Sequence, residues 1–179
     1  MNTTNLFSEL LVVGAGGVAW YTLLFIAIFG PEPILYILAG SSFIFIGISI
    51  IFTYFMGVLL DRAYVQLWRK MDEHFRRKEY PCLNNYNIAQ ALIAEKCKES
   101  SNELLNFYRS RIRILRGSMV NFFLIAIFGA WAANDSIGVA TFICISALLI
   151  SSTCFLGFKD LSQKLYKKTS ILERELSSS

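Results

Sequence analysis

Four stretches of this chain carry no Lys, Arg, Asp or Glu: residues 10–29, 34–60, 117–133 and 137–158. An apolar helix needs about 17–25 residues to cross the hydrocarbon core of a bilayer. A chain can lie in lipid only as helices or closed barrels, because every backbone N–H and C=O must find a partner within the protein. Composition points the same way. The chain is 55% apolar and 17% charged, against about a quarter charged in soluble domains, and its polar residues are too few to coat four buried helices. The reading is an all-α polytopic membrane protein with four transmembrane helices in two hairpins and a cytoplasmic helical hairpin between them.

The breaks between runs have local causes. Gly30-Pro31-Glu32-Pro33 cannot continue a helix, since proline lacks the backbone donor and clashes with the preceding turn. Asn134-Asp135-Ser136 is a polar turn between the third and fourth runs. The third run sits at the lower length limit and contains Asn121. No Lys or Arg precedes the first run, as a signal peptide would require.

Charge sets the orientation. All 17 Lys and Arg fall between Arg62 and Arg116 or between Lys159 and Arg174, whereas the two short turns carry Glu32 and Asp135. Cationic flanks are retained in the cytoplasm, which puts both basic segments there and, after four crossings, the amino terminus as well. The expected organisation is residues 1–60, first transmembrane hairpin; 61–116, cytoplasmic helical hairpin; 117–158, second transmembrane hairpin; and 159–179, cytoplasmic C-terminal helix. Phe55-Met56-Gly57 with Asp61, and Phe155-Leu156-Gly157 with Asp160, end the second and fourth runs alike. Internal duplication or shared topology accounts for this equally well.

Helical stripes continue beyond the membrane. Tyr64, Trp68, Met71 and Phe75 form one, ended by Pro81. A second helix is expected from near Ile88, kinked at Ser100-Ser101-Asn102, with the stripe Leu104, Tyr108, Ile112 and Leu115. Leu161, Leu165, Leu172 and Leu176 make the tail amphipathic. Such stripes serve an internal core or, as in coiled coils, a homo-oligomer seam.

The chemistry-bearing residues are few. Arg109, Arg111, Arg113 and Arg116 crowd the approach to the third run. Arginines there meet anionic lipid headgroups, or hold an anionic ligand such as a nucleotide, or a cytoplasmic protein partner. Asp61 and Arg62 lie at the same depth and suit an ion pair between the hairpins. Gly14, Gly17, Gly40 and Gly47 permit close helix packing, and Asn121 suits a bond between helices. Gly14-Ala15-Gly16-Gly17 follows no strand, which excludes a dinucleotide fingerprint. Cys82, Cys97, Cys144 and Cys154 match no zinc spacing. No metal, cofactor or double-stranded DNA readout is expected, and no nucleophile–base–acid set can be assembled, so an enzyme is not expected. The absence of ionisable residues deep in any run argues against ion-coupled transport.

Two resemblances remain. Arg69 and His74, the only histidine, are similar to the Arg-x4-His motif of the HEPN ribonuclease superfamily. That resemblance implies RNA cleavage by paired motifs across a dimer, although Lys70 stands where the family has a polar residue after the arginine. Leu59-Leu60-Asp61-Arg62, followed by Tyr108 to Arg113, resembles uncharacterised prokaryotic four-helix integral membrane proteins. That resemblance implies an inner-membrane location and no particular activity. Small prokaryotic proteins of this layout include accessory or effector components of antiviral systems and immunity proteins against pore-forming toxins, an analogy of layout alone. The expected function is a multi-pass, oligomeric membrane protein whose cytoplasmic helices bind a ligand or partner and act on the membrane part. The alternatives are a membrane-tethered ribonuclease and a passive scaffold or immunity protein.

Overall fold

A computed structural model describes residues 3–39, 43–96 and 99–178, and every element among them is a helix. The order is α1 (Thr3–Phe29), α2 (Glu32–Ala39), α3 (Phe43–Glu79), α4 (Leu83–Lys96), α5 (Glu99–Ala132) and α6 (Ile137–Ser178). Four segments are long and apolar enough to cross a membrane: Leu6–Phe29, Ile46–Glu79, Ser101–Ala132 and Ile137–Ser177. Their apolar windows are at most 28% buried within the protein, so most of their surface is left for another apolar medium to cover.

The punctuation follows local chemistry. Gly30 takes φ +81° and its N–H donates to the Ile26 carbonyl at 2.8 Å, capping α1 in the left-handed conformation that glycine adopts without strain. Pro33 then lies in the first turn of α2, where a missing donor is tolerated. Of the run expected to be one helix over 34–60, residues 34–39 lie in α2 and residues 43–60 in α3. Gly40 therefore falls outside the described residues. The expected start near Ile88 is earlier: α4 begins at Leu83 and is described to Lys96, and α5 is described from Glu99 as one helix through Ser100-Ser101-Asn102, where a kink was expected.

Helices α3, α5 and α6 have 37, 34 and 42 residues. At 1.5 Å per residue each is roughly 50–60 Å long, well beyond the ~30 Å hydrocarbon core. Each therefore runs without interruption from an apolar span into the basic half of the molecule. The tail from Lys159 is a continuation of the fourth span and not a separate helix.

The main core lies at this basic end. Phe75 of α3, Ile93 of α4, Leu105 and Ile112 of α5, and Phe158, Leu165, Tyr166 and Leu172 of α6 form one buried cluster. The stripes expected of this part thus meet in one cluster drawn from α3, α4, α5 and α6. Helix α6 is the principal partner of α5. Leu115 meets Gly157, Ser151 bonds Met119, and Ile143 lies over Gly129, so α5 and α6 run antiparallel. By contrast α1 runs parallel to α5, with Glu9 at Arg113, Val13 at Gly117 and Trp20 at Phe128. Between α1 and α3 the contacts run Phe7 to Tyr54, Leu10 to Gly57 and Gly17 to Leu60. The closest backbone approach is at Gly14 against Thr53 and at Leu10 against Gly57.

Candidate functional site: an ion network at the basic end of the spans

Three helices bring charge to one place. Glu9 comes from the first turns of α1, Asp61 from the middle of α3, and Arg113 and Arg116 from α5, one turn apart on the same face. Arg113 Nη1 donates to Glu9 Oε2 at 2.6 Å, and its Nε lies 3.9 Å from Asp61 Oδ2. Arg116 Nη2 donates to Asp61 Oδ1 at 2.9 Å. Glu9 is 3% exposed. The side chains of Asp61, Arg113 and Arg116 are 19%, 22% and 15% exposed. The four charges cancel, which lets them lie mostly out of water; a single unpaired member would carry a desolvation penalty of several kcal/mol. Two polar atoms remain buried without a partner, Glu9 Oε1 and Arg116 Nε.

A neutral node lies deeper along α5. The Asn121 side chain is 2% exposed. Its Oδ1 accepts from Tyr64 OH at 2.7 Å and from Trp20 Nε1 at 3.2 Å, and its Nδ2 donates to the Val13 carbonyl at 2.9 Å. One amide thereby joins α1, α3 and α5. Glycines make this approach possible. A methyl group on Gly14 would strike the Thr53 carbonyl, one on Gly57 the Leu10 carbonyl, one on Gly16 the Asn121 amide, and one on Gly17 the Leu60 side chain. Gly47, expected to serve in the same way, faces open space in the described structure.

The arginine run thus divides. Arg113 and Arg116 are engaged inside. Arg111 is exposed and stacks its guanidinium 5.1 Å from the Phe107 ring centre. Arg109 donates to Asn106 Oδ1 at 3.3 Å and lines a cleft of about 320 Å³ with Asn87, Gln90 and Asn102, between α4 and α5. Burial raises the Tyr86 phenol above its ordinary value, opposed by the charge and hydrogen bond of Arg109. Tyr80 is raised further by burial and by Glu173, whose Oε2 accepts from its hydroxyl at 2.9 Å. Arg62 is exposed and forms no ion pair among the described residues; Asp61 takes the arginines of α5 instead.

Glu9 was not singled out from the sequence. Its signal was present: a lone carboxylate at the edge of the first run, with no cation nearby in sequence. Arg69 is bound to Glu73 at 3.1 Å on an exposed helix face, and His74 is exposed with its ring against Phe75. Among the described residues no hydrogen bond or ion pair joins Arg69 to His74. Cys97 lies outside the described residues, and Cys82, Cys144 and Cys154 are free thiols. Among the described residues no three His, Cys, Asp or Glu side chains are grouped to hold a metal.

Fold and site together define an all-helical chain with four helices able to span a membrane and a polar network where three of them meet. No family model, characterised protein or solved structure matches it.

Proposed function

We propose that this chain is a multi-pass, oligomeric membrane protein of a bacterial inner membrane, whose basic helix bundle faces the cytoplasm, receives an anionic ligand or a protein partner, and passes its state to the spans. The observation that carries this reading is continuity: α3, α5 and α6 each extend without a break from an apolar span into one shared core. A shift of the bundle therefore moves the spans as rigid rods. The ion network lies where such a shift would be felt, because it links α1 to α3 and α5. The polar cleft at Arg109 suits an anionic ligand. Orientation is supported by charge and by packing. Glu9 near the start of α1 contacts Arg113, and Leu172 near the end of α6 belongs to the same core as Leu105 and Ile112, which supports both ends lying with the basic segments.

Purified protein reconstituted in dye-loaded liposomes tests the coupling. The expected outcome is dye release that changes when nucleotides or cell extract are added on the basic side, and that is lost in Arg109→Ala. Unchanged retention of dye with every addition counts against it. A reporter fused at Asn85 tests sidedness, and an extracytoplasmic signal overturns it.

A further inference from the structure

A lateral groove of about 580 Å³ opens between α3 and the α5–α6 pair. Its walls are apolar, formed by Leu67 and Trp68 of α3, Phe123 of α5, and Leu148, Ser152 and Phe155 of α6. Phe123 lies two turns beyond Arg116 on α5, so the groove reaches about 10 Å inward from the level of the ion network. Its basic end has a cationic rim. Lys70 follows Leu67 by three residues and Lys159 follows Phe155 by four, the spacings that place side chains on one helix face. Both lysines are exposed. The indole Nε1–H of Trp68 is buried beside the groove without an acceptor.

We propose that this groove holds one acyl chain of an anionic phospholipid, with the phosphate at Lys70 and Lys159. The inference rests on the membrane reading above. The occupant follows from charge. A second copy meeting this groove through its own would bring Lys70 and Lys159 against themselves and be repelled, which leaves an oligomer seam to other faces of the spans. An anionic headgroup is attracted there, and the apolar walls exclude a water-soluble ligand. Tryptophan at the level of lipid headgroups suits this role, with an apolar body and one polar tip.

Native mass spectrometry of the detergent-purified chain, titrated with phosphatidylglycerol or phosphatidylcholine, tests the site. Wild type is expected to keep one phosphatidylglycerol per chain and to prefer it over phosphatidylcholine. Ser152→Trp fills the groove from an exposed position and should weaken retention about tenfold or more; Leu148→Trp does the same from the neighbouring turn and guards against misfolding of the first variant. Lys159→Glu should weaken phosphatidylglycerol binding about tenfold and leave phosphatidylcholine nearly unchanged. Wild-type retention in both tryptophan variants overturns the proposal, as does a disulfide between two copies of Ser152→Cys, which would give the groove to a second chain. A protein that stays dispersed without detergent and binds no lipid overturns the membrane reading itself. A detergent-dependent protein with unaltered lipid retention in the variants overturns only the groove.

Discussion

The two halves of α5 are held by opposite means. From Leu105 to Ile112 the helix is fixed by a compact apolar core, in which Phe158 is 1% exposed and packs against Trp68 and Phe75. From Arg113 to Phe128 it is held to α1 and α3 by ion pairs, an asparagine and side chains seated on glycines, Val13 on Gly117 and Asn121 on Gly16. In the proposed topology the difference is one of solvent. In water, apolar burial drives helices together at roughly 25 cal/mol per Å². In lipid that drive is absent, and association depends on close packing and on hydrogen bonds that the hydrocarbon cannot replace. The join between the two regimes is the ion network, at the depth where water gives way to lipid in the proposed topology.

This contrast can be broken at several points. Phe158→Ala should have the largest effect, about 3–5 kcal/mol, read as lower protection of the α4–α6 region in hydrogen exchange while the spans stay protected. Equal loss of protection in both halves would show one cooperative unit and end the distinction. Arg113→Met should follow at about 3 kcal/mol, because it leaves Glu9 buried beside no cation. Adding Glu9→Gln should recover most of that loss in thermal unfolding in mild detergent, and a double variant no better than the single one would remove the network from the account. Asn121→Leu should lower stability by about 1–2 kcal/mol, the sum of modest hydrogen bonds between helices in lipid, with the loss seen as weaker cross-linking of α1 to α3. Arg69→Ala should change stability by no more than about 0.5 kcal/mol, since its ion pair with Glu73 is exposed and screened. A larger drop would mean that this helix face is covered by a partner.

The four apolar runs were legible because length without charge is a one-dimensional property, and all four appear as candidate spans. The stripe residues Phe75, Ile112, Leu165 and Leu172 were legible as buried faces for a similar reason, since helical periodicity marks a face without naming its partner. The partner was the part left open. Nothing in the stripes says that α6 rather than α3 takes the main face of α5. The repeated Phe-x-Gly pattern shows the same limit: Gly57 admits the α1 backbone, while Gly157 meets only the Leu115 side chain, and Asp61 joins the network while Asp160 pairs with Lys164 in the open.

Sequence alone therefore determined the solvent of each segment: which stretches suit lipid, which suit water, and where the cations gather, because transfer free energy is summed residue by residue along the chain. Tertiary structure decided which charges meet. Glu9 and Arg113 are 104 residues apart, and ion pairing depends on distance in space, which no local pattern encodes.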